Sequence, residues 1–378
     1  MINLDNLAIT ISGVDISPMC LNLTILESIK GGIKGSVIVQ DNINFYDTFI
    51  GSVQPNILIE FKYIDVICEY GFIADGITNM SIMEKGKTYT IHFISPQTMD
   101  FKTTVINQAY SGTSHEIIKS IFAESCNELA ALRIDTTAIT KGRYVVPNIV
   151  AGAAIKRLLD TSFDINASQF CLYQRLFDQG VTRLTSYHDM DRRSFRNSQG
   201  EPFEIKKTSV SLEDKNSSKT VSVGSSSSFL MQETGKDYSG KLAAGYYGEM
   251  VTHIELDDTK KITYKPAEIT DQSVTKFKLS KKLYDNDVSS IFTTAGDPVA
   301  RAAMNQRKRL YNQYMTIKDV IAIPYIGCGM SINIDSGMSN ISSSRQKGKK
   351  FIIANVQHKF ILNDGEFIYY QDMGLIRE

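Results

Sequence analysis

The sequence has no tryptophan, no CxxC pair, no excess of either charge and no apolar run long enough to cross a membrane. Each absence narrows the function. Without tryptophan, the aromatic cleft in which a murein hydrolase would hold its pair of carboxylates is less expected. Lys+Arg and Asp+Glu balance at 41 each, so no whole-molecule field gathers nucleic acid and a dedicated DNA- or RNA-binding role is not expected. Cys20, Cys68, Cys126, Cys171 and Cys328 are scattered and odd in number, which fits buried thiols in a reducing compartment. The most apolar window, Tyr144 to Ile155, is interrupted by Pro147 and Asn148 and falls short of a membrane span. Met1 to Asp5 lacks the basic region of a signal peptide, so export by that route is not expected.

Catalytic signatures are missing as well. The chain has no glycine-rich phosphate loop, no HExxH and no GxSxG elbow, and its histidines (His92, His115, His188, His253, His358) are widely spaced. The best enzymatic candidate is His188-Asp189-Met190-Asp191, where an imidazole and two carboxylates are close enough to hold a metal or exchange protons. Placed on a turn after a strand, with no fourth ligand nearby in sequence, this cluster reads as solvated surface. Asp257-Asp258 is a similar exposed pair. No catalytic residue, metal or cofactor is therefore expected.

What the chain has is β-pattern, and enough length at 378 residues for two to four domains. In residues 1–98, Leu21, Leu23 and Ile25 alternate with Asn22 and Thr24, the period of a half-buried strand. Six or seven strands in this stretch, with one helical turn over Asn44 to Phe49, imply a small antiparallel barrel or sandwich. The C-terminal hairpin, Phe351 to Asp372, lies without a gap on Phe72 to Phe93 when moved back 279 positions. Four identities in 22 positions also fit two unrelated hairpins, but a short strand precedes each copy, Ile57 to Phe61 and Met330 to Ile334. The register places Gly86 and Gly365 at equivalent turn positions, each supplying a positive φ. One chain would then carry two versions of one β-domain.

Near residue 100 the period changes. Thr113-Ser114-His115-Glu116 has capping-box spacing, and Ile117, Ile118, Ile121 and Phe122 form a helical stripe behind it. A second helix is expected after Asn148, with Ile155, Leu158, Leu159 and Phe163 on one face. Strands Phe170 to Gln174 and Thr182 to Tyr187 follow, joined through Asp178-Gln179-Gly180. Arg192, Arg193, Arg196, Lys206 and Lys207 read as a solvated linker face, and Ser225 to Ser228 as a mobile loop. Residues 258–294 look charged and irregular, and Asp297-Pro298 opens a helix expected to reach about Tyr314. The resulting division is mainly β with α+β inserts: a first barrel over 1–98, an α+β insert over 99–190, a second barrel over 191–248 and 308–372, and an inserted part over 249–307 that residues 373–378 could join.

With these parts in order, the chain resembles the central baseplate hub protein of T-even-like contractile-tailed bacteriophages. The resemblance is carried by Tyr144-Val145-Val146-Pro147 leading to a helix that ends near Phe163, with Phe170 to Gln174 after it. It extends to the Gly245 to Leu256 segment, the Arg301 to Tyr314 helix running into Thr316-Ile317, and the Val356 to Tyr370 hairpin. It implies two tail-tube-type barrels and a non-enzymatic homotrimer that joins a six-fold tail tube, or tube-initiator protein, to a three-fold central spike. It further implies baseplate wedge proteins as neighbours, passage of tape measure protein and DNA through the lumen, no membrane, and a place in the virion tail after assembly in host cytoplasm. Outward-facing polar positions Thr88, Thr90, His92, Gln357 and Lys359 are the candidates to line that lumen. The alternative is a tail-associated hydrolase or glycan-binding β-protein, with His188 and Asp191 as its best residues.

Overall fold

In the computed structural model the described residues are 6–50, 55–63, 66–83, 86–127, 130–138, 141–166, 168–196, 204–206, 221–222, 230–234, 250–256, 262–268, 313–323, 325–335, 349–363 and 365–377. The protein is mainly β, and most of its strands belong to one sheet. Its first half supplies β1 (Asn6–Ile11), β2 (Val14–Asp15), β3 (Cys20–Ser28), β4 (Lys34–Asp41), β5 (Asn56–Tyr63), β6 (Val66–Met83) and β7 (Gly86–Ile94), hydrogen-bonded in the order β3-β4-β7-β6-β5-β1-β2. Alternation explains the faces: Leu23, Ile25, Val37, Val39, Ile57, Ile59, Phe61 and Ile91 point inward and are buried together. Each such side chain contributes about 1.5–3 kcal/mol by leaving water. No ladder among the described residues joins β1 back to β3, and the outer edge of β3 is taken by a strand of the second half.

The α+β insert follows without a linker. Helix α1 (Pro96–Thr103) leads into β8 (Val105–Thr113), α2 (Ser114–Ser125), β9 (Leu132–Ile134), β10 (Lys141–Val150), α3 (Ala151–Thr161), β11 (Phe170–Gln174), β12 (Thr182–Ser186) and α4 (Tyr187–Arg192). Glu116 closes the capping box, its Oε2 accepting the Thr113 backbone N–H at 2.8 Å. Ile117, Ile118, Ile121, Ile155 and Leu158 fill the insert's core against the β8–β10 and β9–β12–β11 ladders.

The second half adds β13 (Glu204–Lys206), β14 (Val221–Ser222), β15 (Leu230–Thr234), β16 (Met250–Leu256), β17 (Ile262–Glu268), β18 (Gln313–Ile321), β19 (Ser331–Asp335), β20 (Lys349–Asn363) and β21 (Glu366–Arg377). β20 joins the two halves. Its start pairs with β19, its remaining length pairs with β3 through seven residues from Asn355↔Ser28 to Ile361↔Asn22, and its other edge pairs with β21. The second core, which includes Ile317, Ile332, Phe351, Ile353, Val356 and Leu375, lies beside the first. An aromatic seam crosses between the halves: Phe360 stacks on Tyr369 at 4.4 Å, and Phe61 of β5 meets both rings edge-on.

Several expectations are corrected. The turn over Asn44 to Phe49 is a π-type turn at Tyr46–Ile50. The second helix of the insert follows Asn148 as expected, starting at Ala151 after a bulge in β10 where Asn148 takes φ +50°, but it ends at Thr161, so Phe163 lies beyond it. His188 to Asp191 lie in helix α4, not on a turn: Ser186 caps it by accepting the Asp189 N–H, while Tyr187 and Met190 bury its inner side. Arg193 is no linker charge, since its guanidinium pairs with Asp135 at 3.0 Å. β17 is a strand inside the stretch read as irregular, and Tyr314 belongs to β18, where it pairs with Ile376. Residues 373–377 continue β21. Residues 297–312, Ser225 to Ser228, Asp257 and Asp258 lie outside the described residues.

The two hairpins share form but not register. Met83↔Gly86 closes the first and Asn363↔Glu366 the second, so Gly86 follows its two-residue turn while Gly365 lies inside one. Their φ values are +137° and +86°. A Cβ at Gly86 would clash with the Asp41 carbonyl oxygen, whereas one at Gly365 meets open space. Gly86→Ala is therefore expected to cost about 2 kcal/mol or more and Gly365→Ala about 1 kcal/mol, read as a difference in urea midpoints.

Candidate functional site

The sheet's outer face is the candidate site, because one row of it crosses both halves. Lys359 on β20 faces Thr24 on β3, Thr24 faces Ser36 on β4, Ser36 faces His92 on β7, and His92 faces Gly76 on β6. The adjacent rows read Ile361–Asn22–Ile38–Thr90–Thr78 and Gln357–Leu26–Lys34–Ile94, and Thr88 sits opposite Gln40. Thr88, Thr90, His92, Gln357 and Lys359 thus share this one face. An antiparallel sheet with one packed side leaves such a face to water, and here Thr88, His92, Gln357 and Lys359 are half-buried while Thr90, against the expectation of an outward polar position, is buried.

Its charge is locally neutralised. Lys359 Nζ lies 2.5 Å from Asp372 and 3.3 Å from Asp319. Burial by itself would lower the Lys359 pKa, but these two carboxylates outweigh it and hold it above the ordinary lysine value. His92 Nε2 meets the Thr78 hydroxyl at 2.7 Å. The wall therefore mixes hydrogen-bonding polar groups with Leu26, Ile38, Ile94 and Ile361 and is weakly charged.

Behind this face, the inward residues of the same strands form a buried polar junction. Glu27 follows Leu23 and Ile25 on the inner side of β3 and is fully buried. Its Oε1 accepts the Leu176 backbone N–H at 2.6 Å and lies 3.1 Å from His358 Nε2, and its Oε2 accepts the Cys328 N–H at 2.9 Å. His358 Nδ1 meets the Tyr369 hydroxyl at 2.7 Å, and Gln371 Nε2 donates to that hydroxyl. Gln371 also clasps Ile323, accepting its N–H at 2.8 Å. Arg175 Nε donates to the Cys328 carbonyl, and Gln174 Oε1 accepts from the Ile33 backbone and the Ser95 hydroxyl. Sequence reading missed this set, although strand parity alone places Glu27 among inward leucine and isoleucine.

His188, Asp189 and Asp191 do not converge. The Asp189 carboxylate accepts the Thr136 hydroxyl, the His188 N–H donates to Ser168, and the Asp191 carbonyl accepts from Ser331. Among the described residues no group of three His, Cys, Asp or Glu side chains has metal-binding geometry. Burial pushes the Cys20, Cys68 and Cys126 thiols up to about 12, with Glu27 adding to the effect at Cys68 and Asp100 at Cys126.

The chain is thus defined as a mainly antiparallel β protein whose two halves share one long sheet with one polar face. No protein-family model matches it, and no curated protein matches it in sequence. Among solved structures it is similar to the 43 kDa tail protein of prophage MuSo2 from Shewanella oneidensis, at 11% identity and a TM-score of 0.59 over 98% of both chains. It is also similar to a tail protein from Neisseria meningitidis MC58, at 8% identity and 0.55 over 99% of this chain and 97% of that one. A chain of the Francisella PdpA–VgrG complex matches at 12% identity and 0.51, with 99% of this chain spanning 58% of that one. At these identities the likeness is one of fold, and the fold is that of phage tail proteins.

Two outcomes test the junction and the thiols. Glu27→Ala leaves buried N–H donors unpaired and is expected to lower stability by about 3 kcal/mol or more, with a smaller loss for Glu27→Gln, both read by denaturant unfolding. At pH 8 the native thiols should react slowly with a disulfide reagent, half-buried Cys126 first, and all five rapidly once unfolding restores pKa values near about 8.5.

Proposed function

We propose that this chain is a structural, non-enzymatic hub of a contractile phage tail baseplate. Three copies form a ring that seats a six-fold tail tube, or its initiator, on one side and a three-fold central spike on the other. The observation that carries this reading is the β3–β20 ladder, which sets the two β units side by side in one sheet. A six-fold tube demands six equivalent positions and a three-fold spike offers three; a chain that supplies two adjacent units resolves the mismatch. The fold shared with tail proteins supports the same reading.

Strand edges give the ring its closing contact. β5 pairs with β6 only over Val66 to Ile73, so the far edge of Gly76 to Met83 has no ladder partner among the described residues. On the opposite flank, β18 pairs with β21 from Tyr370 onward and the Ala322 N–H donates to the Tyr369 carbonyl, so that among the described residues Phe367 and Ile368 lie beyond its ladder. Edges of this kind are aggregation hazards unless another chain covers them. In a head-to-tail trimer the β6 edge of one copy meets the β21 flank of the next. The face carrying Thr88, Thr90, His92, Gln357 and Lys359 then becomes the lumen wall. Its balanced charge suits a conduit that tape measure protein and DNA traverse without sticking. The insert and the β16–β17 part sit outside as contacts for wedge proteins, in the virion and, during assembly, in host cytoplasm.

Light scattering on the purified chain is expected to give three times the 42.2 kDa chain mass. Met80→Lys with Ile82→Lys, both exposed on β6, is expected to reduce this to one while the melting temperature stays put. A monomeric wild type that also fails to assemble on a spike, or a variant whose mass is unchanged, would contradict the ring.

A further inference from the structure

A groove of about 810 Å³ lies where the first β unit meets the insert, between the loop after β3, helix α1, helix α3 and strand β11. Its size is that of a pocket able to hold a drug-sized molecule or a few residues of extended chain, roughly 300–1,000 Å³. The lining is mostly apolar, with Ile29, Phe101, Ile155, Leu159 and Leu172 among its walls. Three lysines, Lys30, Lys102 and Lys156, stand around it, all exposed, against the single acid Asp160. Lys102 is partly neutralised by Asp75 at 2.9 Å. The groove is therefore apolar inside and net positive at the rim.

One polar group in the wall is unsatisfied. Gln169 is 7% exposed, and its Oε1 has no hydrogen-bond partner. Its Nε2 makes two bonds at the long limit of 3.4 Å, to the Leu159 carbonyl and to Asp160 Oδ1. Oε1 is buried in the wall, so an arriving donor reaches it only if the side chain swings, and those long bonds resist little. An occupant that supplies an N–H would complete the site.

We propose that this groove docks an extended, apolar peptide segment of a partner protein that carries at least one carboxylate. Each part of the requirement has its counterpart: apolar side chains for the walls, an acid for the lysine rim, and a backbone N–H for Gln169. A fatty acid offers the first two and lacks the third. The site lies on the insert side of the molecule and does not depend on the ring.

The probe is 8-anilinonaphthalene-1-sulfonate, which combines an apolar ring system, an anion and one N–H, titrated into the full chain at low salt. Saturable binding at one site per chain is expected. Lys30→Glu with Lys156→Glu should weaken it about tenfold or more, since each reversal removes an attraction and adds a repulsion at the rim. Ala153→Trp, which fills the groove, should abolish it, with circular dichroism confirming the fold. The lysine pair is exposed, so that arm stands even if Ala153→Trp does not fold. In competition, an acetylated peptide alternating leucine and glutamate should displace the dye at lower concentration than laurate. No saturable binding, binding indifferent to the lysine reversal, or displacement by laurate with the peptide inert would each overturn the proposal.

Discussion

The Glu27 carboxylate holds the molecule's parts in one arrangement. It lies in the first β unit, yet its donors come from the insert at Leu176, from the second half at Cys328 and from the C-terminal hairpin at His358. A fully buried carboxylate carries a desolvation penalty of several kcal/mol, repaid only when geometry and hydrogen bonds are complete. All three donors must therefore be docked together before the group is satisfied. Partial docking leaves it exposed to that penalty, so the halves and the insert behave as a single unit.

The sheet follows from this constraint. With Val356 opposite Glu27, β20 is fixed in register along β3, and a one-residue slip would send His358 and Phe360 to the outer face. The same register sets Lys359 in line with Thr24, Ser36 and His92, with Gln357 in the adjacent row, so that the junction inside and the face outside are two consequences of one pairing. The insert is tied down separately. Tyr173, Tyr187 and Met190 pack with Ile352 and Ile376 of the terminal hairpin, and Asp135 gathers Arg133, Arg183 and Arg193. Burial of the Asp135 carboxylate opposes ionisation, but the guanidiniums outweigh it and hold the pKa below the usual 3.8. That contribution to stability is present above about pH 4 and lost as pH falls through the depressed native value.

Local pattern made much of the fold legible. Alternation marked β3 and the terminal hairpin, and the Thr113–Glu116 spacing marked the start of α2. Partner choice was not legible, because β3 and β20 are 331 residues apart at the Glu27–His358 contact and period two says nothing about which strand lies alongside. The 279-residue offset found two hairpins of like form but not their pairing, which bulges at Thr78–Ser81 shift. Proline and asparagine at 147 and 148 marked the approach to α3, which starts at Ala151, but not the bulge by which β10 runs through them. For the candidate face, the alternation in β7 and β20 already put Thr88, Thr90, His92, Gln357 and Lys359 on one side. Their alignment across two halves needed the β3 bridge.

Symmetry is the central claim, and averaged end-on images of the purified assembly test it most directly. The ring reading predicts six β units around one axis, contributed by three chains, with the two units of each chain related by about sixty degrees and the Lys359–His92 row facing the lumen. Density with the two units of a chain at different radii, or with that row buried against the insert of a neighbour, would contradict it.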